Sequence, residues 1–258
     1  MDDDTGQVER ISLLDSLDDR RWIKLPLAAM QQVGPAVQTL GGLLRMTNRE
    51  TFAPVADIAR HARLPRETVK KHLQRLDEGG WIENAGRQHT RRGAPRRTAT
   101  IKITKQTKDH LEPYGMLPWW ACCSIRKVGR LPWCARAVLS IVMARLCSLK
   151  AAVDRQQEVQ DEVELAGAID NMGGDYRFRF SLHSLTEQTG LTRESVVVAK
   201  KLLNHRYGIV QWTGDYPRPG VTTETHLLIP NWDFHVVVTP ASEGHCHLAF
   251  DRGSDSGP

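Results

Sequence analysis

A block of 25 residues recurs in this chain 127 positions after its first appearance. Positions 58–82 align without a gap on positions 185–209. Leu64 falls on Leu191, Arg66 on Arg193, Glu67 on Glu194, Val69 on Val196, Leu76 on Leu203 and Ile82 on Ile209, while Thr68 meets Ser195. A second correspondence precedes it at a shorter offset of about 101, where PAVQTLGGLLRM from Pro35 resembles ARAVLSIVMARL, with Ala36 on Ala137. Tryptophan-containing segments lead into both, WIKLP from Trp22 and WWACCSI from Trp119. The two offsets differ by about 26 residues, close to the length of an acidic stretch at 150–175. Such self-similarity predicts two copies of one folding unit, the second interrupted between its first and second helices. At 258 residues the chain is long enough for each copy to bury a core of its own.

Local signals define the unit in its first copy. Positions 35–46 read as helix one and 54–62 as helix two, with Pro54 in the first turn, where its missing N–H costs nothing. Leu64-Pro65 makes a turn, because the residue before a proline is pushed out of helical geometry. Helix three follows over about 66–78, with Val69, Leu73 and Leu76 at i, i+4 and i+7 facing inward. Gly79-Gly80 ends it, glycine being suited to a left-handed cap. WIEN reads as a strand, 87–97 as a polar turn and TATIKIT as a second strand. Trp22, Leu64, Val69, Leu76 and Trp81 are candidate core or hinge positions. Three helices followed by a β-hairpin is the winged-helix order. The stretch LPRETVKKHLQRLDEGGWIE resembles the recognition helix and wing strand of bacterial winged-helix regulators such as the GntR and MarR families. The resemblance covers roughly 50–105, and more weakly 178–230. The tandem arrangement also resembles plasmid and phage replication initiators in architecture.

The expected fold is therefore α+β, with two winged-helix domains (three helices plus a β-hairpin wing) in tandem. Positions 1–20 read as an acidic disordered tail and 21–112 as the first domain. Positions 113–240 read as the second domain, with its acidic insert at 150–175, and 241–258 as a disordered tail. Residues 1–20 and 150–175 each carry seven acids against two bases, so both read as solvated segments. An alternative is that they compete with DNA phosphates for a basic region.

That basic region is the second constraint. Over 60–108 there are fourteen Lys/Arg against four Asp/Glu, a local +10, while the whole chain is +5. Charge concentrated on an element shaped to enter a groove points to double-stranded DNA. With the apolar face of helix three turned inward, Lys70, Lys71 and Gln74 are candidates for base edges, flanked by Arg75. Arg66 and Thr68, at the helix start, are candidates for phosphate contact. The alternative is that Lys70 and Lys71 only solvate an exposed face. The loop RQHTRRGAPRR shifts that balance: Arg87, Arg91, Arg92, Arg96 and Arg97 repel one another and need an anion. Such a wing can follow the backbone or enter a narrow minor groove.

The second copy departs from the pattern. Val197 and Val198 stand at the positions of Lys70 and Lys71, and Lys200 stands at that of Leu73. The helix face is thus rotated or the alignment slipped by one. Its hairpin loop TGDYPRPGVTTE has one arginine and two acids. Either Arg177, Arg179, Arg193, Lys200 and Lys201 make a weaker, secondary phosphate contact, or Val197 and Val198 form a homodimer seam. The dimer seam is the favoured expectation.

Other functions find less support in the residues. Five cysteines leave one over in any disulfide scheme and form no Cys-x-x-Cys pair, so reduced thiols in a cytoplasmic, nucleoid-associated protein are expected. The acidic start MDDD is unlike a signal peptide, and the apolar run 131–149 contains Arg136 and Arg145, so it reads as a buried helix and not a membrane span. No cofactor or metal is expected: His245-Cys246-His247 are adjacent and cannot easily face one ion. No phosphate-binding glycine loop, metalloprotease or nucleophile-elbow motif occurs. Tyr114, Tyr176, Tyr207 and Tyr216 lack the His cluster a nicking enzyme needs. The expectation is a non-enzymatic DNA-binding protein. It would be a transcriptional regulator, alternatively a replication initiator binding origin repeats, or a winged-helix scaffold acting through protein contacts.

Overall fold

The computed structural model describes residues 9–12, 22–47, 50–51, 54–84, 100–125, 129–157, 178–215, 225–230, 235–239 and 247–251. In these the chain is a mixed α+β protein. After β1 (Glu9–Ser12), the first unit opens with β2 (Ile23–Pro26), α1 (Leu27–Val33), a 3-10 turn (Gly34–Ala36) and α2 (Val37–Met46). A two-residue strand, β3 (Glu50–Thr51), leads to α3 (Val55–Ala62) and α4 (Arg66–Glu78). Strands β4 (Ile82–Asn84) and β5 (Ile101–Ile103) follow, then the short α5 (Lys105–Asp109).

The helix limits follow the punctuation in the sequence, with shifts at the caps. Pro54 and Pro65 are the N-cap residues of α3 and α4, one position earlier than a first-turn proline. Helix one starts at Val37, because Pro35 falls in the 3-10 turn. At the end of α4 the left-handed residue is Gly80 (φ 73°), while Gly79 stays right-handed. Trp22, Val69, Leu76 and Trp81 are buried and Leu64 is partly buried against them. Helix α2 is enclosed on all sides from Val37 to Leu43. Its two glycines make that possible. A Cβ at Gly41 would lie 2.4 Å from the carbonyl oxygen of Lys24 in β2, and one at Gly42 would lie 2.7 Å from the Ala62 Cβ in α3.

The second unit begins at β6 (Tyr114–Leu117) and a 3-10 turn (Trp119–Cys122), with short β7 (Ser124–Ile125) and β8 (Gly129–Arg130). Helix α6 (Trp133–Gln157) is the apolar run, buried at Ala135, from Ala137 to Met143 and at Leu146. It continues into the acidic stretch as far as residue 157, so 150–157 of the expected insert are helical; 158–177 lie outside the described residues. Then come β9 (Phe178–Ser181), α7 (Leu182–Thr189), α8 (Arg193–Lys201), a π turn (Leu202–Arg206), β10 (Val210–Asp215) and β11 (Thr225–Pro230). No helix among the described residues is long and apolar enough to cross a membrane.

The two units repeat not only in element order but in strand register. In the first, Thr51 in β3 pairs with Ile101 in β5, which also pairs with Asn84 in β4. In the second, 127 residues on, Phe178 in β9 pairs with Leu228 in β11, which also pairs with Trp212 in β10, 128 residues on from Asn84. Arg63 (φ 54°) and Gly190 (φ 66°) are likewise left-handed at the same offset. The last strand pair is one residue out: Ile82 faces Ile103, but Val210 faces Pro230. The π turn accounts for it. Trp81 N–H donates to Leu76 at 2.9 Å, whereas Ile209 N–H reaches Leu203, one residue farther back, at the same distance. A π turn accommodates such an inserted residue without breaking the helix. Val196, Ala199 and Leu203 are buried where the first unit buries Val69, Leu73 and Leu76. The register therefore holds at both ends of the helix, while the buried position of its middle turn moves back by one residue, from that of Leu73 to that of half-buried His72. Lys200 sits partly buried at the position of Leu73.

Strands β2 and β6 join the units. They pair antiparallel, Ile23 with Leu117, Lys24 with Met116, Leu25 with Gly115 and Pro26 with Tyr114. Below the ribbon, Arg136 of α6 donates to the Gln38 side chain of α2. Gln38 Nε2 in turn lies 2.7 Å from the Ala62 carbonyl and 3.2 Å from Cys122 Sγ. Arg63 lies over the Trp119 ring at 5.6 Å. Helices α1 and α7 meet where Gly190 leaves room for the Gln31 backbone.

The segments expected to be tails contribute structure, which corrects that expectation. β1 pairs with β12 (His235–Thr239), β12 with β13 (His247–Asp251), and β13 with β7, in one five-stranded sheet. The physical reason is the run HVVVT: four consecutive β-branched residues form a strand whose two edges need partners, and 9–12 and 247–251 supply them. His247 opens β13, while His245 and Cys246 lie outside the described residues.

Candidate nucleic-acid interface

Helix α4 is seated by Val69, Leu73 and Leu76, each side chain contributing about 1.5–3 kcal/mol on burial. That leaves Arg66, Glu67, Lys70, Lys71, Gln74, Arg75, Asp77 and Glu78 exposed, with Thr68 partly buried. The outward face is less uniformly basic than a count of lysines suggests. Lys70 Nζ sits 2.8 Å from Glu67 Oε1, and the ammonium beside Glu67 holds its carboxyl below the usual range. Gln74 Nε2 donates to Glu78 Oε1 at 2.9 Å. Arg66, Lys71 and Arg75 have no partner among the described residues. Both engaged groups sit on exposed helical pairs worth a few tenths of a kcal/mol, so phosphate or base contacts can displace them.

Helix α4 is fixed to the hairpin by short links. Asn84 N–H donates to Asp77 Oδ1 at 2.9 Å, and Lys102 Nζ pairs with Glu83 Oε2 at 3.2 Å across the β4–β5 ladder. Thr104 Oγ1 donates to the Gly80 carbonyl at 2.8 Å, and the buried Trp81 indole N–H donates to Gln32. Asn84 and Ile101 face each other at one end of the β4–β5 ladder, and Asn84 is bonded to Asp77 of α4. Arg87, Arg91, Arg92, Arg96 and Arg97 belong to the segment between them and lie outside the described residues.

Behind the exposed face lies a group that composition did not single out. His72, half-buried on α4, is 2.9 Å from Thr39 Oγ1. Burial first, then the charges of Arg136 and Arg75, push its pKa down to about 4, so it is neutral near pH 7. Arg136 is itself pushed down by burial and keeps Nε without a partner. The same arginine opposes the effect of burial on the Cys122 thiol, which is pushed up to about 11 and is therefore unreactive. The signal for this network was the arginine inside the apolar run; its partner 98 residues away carried none.

In the second unit, Thr192 caps α8 by accepting from Ser195 N–H at 3.3 Å. Val198 is 50% exposed, whereas Val197 is partly buried against the core, so the two valines do not form one exposed seam. Arg193 and Lys201 are exposed and Lys200 partly so. Arg179 lies in β9 opposite Leu227, with only its backbone described, and Arg177 lies outside the described residues. No known protein family, curated protein or solved structure matches the chain.

Proposed function

We propose that this chain is a sequence-specific double-stranded DNA-binding protein made of two tandem winged-helix units, with α4 and the arginine loop 87–97 as its main reader. The observation that carries the proposal is the coupling of shape and charge. Helices α2, α3 and α4 and the β4–β5 pair place the exposed cations of α4 next to strands whose connecting sequence holds five arginines, within a stretch of net +10. An α-helix fits the major groove, where lysine donates to guanine and glutamine pairs with adenine. Arginine in the adjacent loop gains from phosphates or a narrow minor groove. Lys71 and Gln74 are assigned to base edges with Lys70, and Arg66, Thr68 and Arg75 to the backbone.

Transcription regulation is the leading role. Origin binding by a replication initiator uses the same chemistry, and the joining of two units in one chain also supports it. Selection of bound fragments from random DNA at two salt concentrations separates the readings. One inverted repeat favours a regulator, short direct repeats favour an initiator, and no enriched sequence would contradict both.

A further inference from the structure

The β2–β6 ribbon has a symmetry that bears on the second unit. Leu25-Pro26 in the first unit corresponds to Leu117-Pro118 in the second, and on that correspondence Lys24 is paired with its own counterpart, Met116. Ile23 with Leu117 and Leu25 with Gly115 are then equivalent pairs on either side. Equivalent strands running antiparallel through their own equivalent residues define a local two-fold axis. Each unit packs its first helix on its own strand of the ribbon, α2 on β2 and α6 on β6. The same rotation therefore relates α4 to α8. Two-fold-related recognition helices match half-sites of opposite orientation on a duplex.

The exposed faces of the two helices differ in a way that favours a ligand for α8. Over 193–206 there are four Lys/Arg against one acid, net +3; over 66–78 there are four against three, net +1. Taken without its loop, the second unit's helix is the more basic. At the position of Gln74 it carries exposed Lys201, and at the start it keeps Arg193 in place of Arg66. Between them Val198, half exposed, replaces Lys71. A homodimer seam fits this face poorly. Stable dimers bury about 800 Å² on each partner, and one half-exposed valine between cations offers little apolar area. A symmetric seam would also set Arg193 and Lys201 near their own copies.

We propose that α8 is a second DNA reader, in which Val198 packs against a thymine methyl group in a half-site of opposite orientation while Arg193 and Lys201 hold the flanking phosphates. An apolar side chain is the complement of the only apolar group on a base edge in the major groove. This inference rests on the DNA-binding proposal for the first unit and is separable from it.

The test uses the full chain and its selected DNA, with each thymine outside the first unit's half-site replaced in turn by deoxyuridine, which lacks only the methyl group. One such replacement should weaken wild-type binding about fourfold, the effect of one buried methyl-sized group. Val198→Ala should bind thymine and deoxyuridine DNA equally, with Val198 exposed enough for the variant to fold. Cleavage protection should cover two half-sites. Protection of one half-site alone, or loss of no affinity at any deoxyuridine, would overturn the inference while leaving the first unit's role intact. A wild-type dimer that becomes monomeric in Val198→Lys would overturn it in favour of a protein seam. Failure to bind any DNA would overturn the DNA-binding proposal as well.

Discussion

The first unit places Gly41 and Gly42 in its central helix where, at the offset of about 101, the second places Val142 and Met143; all four are buried. In the first unit the strand and α3 approach those glycines closely. In the second the small residue has moved to the strand: a Cβ at Gly115 would lie 2.5 Å from Ser140 Oγ of α6. The exposed positions changed with no such compensation. Val197 and Val198 in the second unit stand where the first has Lys70 and Lys71, and 213–224 holds one arginine where 87–97 holds five. The contrast teaches which substitutions a duplicated frame permits. Buried positions change together with their neighbours because close packing transmits every added methylene, while exposed ones can change singly.

The largest expected effect lies in the loop. Replacing Arg91, Arg92, Arg96 and Arg97 together by alanine should reduce affinity about a thousandfold at roughly 0.1 M salt if each loses one phosphate contact. Thermal stability should stay unchanged. Unchanged binding, measured by anisotropy titration, would place the charge outside the interface and favour a scaffold acting through protein contacts.

A substitution inside the frame tests the packing half of the contrast. Gly42→Ala should destabilise the chain by about 1–3 kcal/mol in a denaturant melt, because the added Cβ meets the Ala62 backbone 2.8 Å away. Met143→Leu, at the matching position, should cost under about 1.5 kcal/mol. Equal costs would show that the two helices are not packed differently.

The pH dependence follows from His72, whose counterpart Ala199 cannot titrate. Its folded pKa, about 4, lies below the ordinary histidine value of 6.5, so between those values the unfolded chain binds more protons. Its contribution is complete above about pH 6.5 and is lost as pH falls toward 4. His72→Gln should flatten the stability curve across that window, as followed by chemical denaturation at several pH values. A curve of unchanged slope would contradict the buried, neutral assignment.

The smallest effect is at the helix surface. Glu67→Gln removes the partner of Lys70 and a negative charge from the outward face, so DNA affinity should rise by a few-fold. Stability should change by less than about 0.5 kcal/mol. Weaker binding instead would mean that Glu67 itself accepts from a base.

Much of the first unit was legible in the residues because its boundaries are marked by backbone chemistry. Pro54, Leu64-Pro65 and Gly79-Gly80 restrict local geometry whatever the surroundings, and α4 runs over the expected 66–78. What escaped was non-local. β3 is two residues long and shows no periodicity, so only its pairing with β5 identifies it. The β2–β6 ribbon joins residues about ninety positions apart. The strands 9–12 and 247–251 are four and five residues long and pair with 235–239, which lies far from 9–12 in the chain. The π turn carries no signal in the residues; it shows only in the one-residue shift of the strand that follows it. In the candidate site, the outward cations of α4 were legible from helical periodicity. The acids that engage this face, Glu67 with Lys70 and Glu78 with Gln74, carry no such signal because they lie on the same exposed face.

The claim that the first unit grips DNA through its cations is tested most directly by the salt dependence of binding of the intact chain to its selected site. Engagement of about six phosphates, each contributing roughly 0.9, requires log K to fall against log salt with a slope near −5. A slope shallower than about −2 would contradict it.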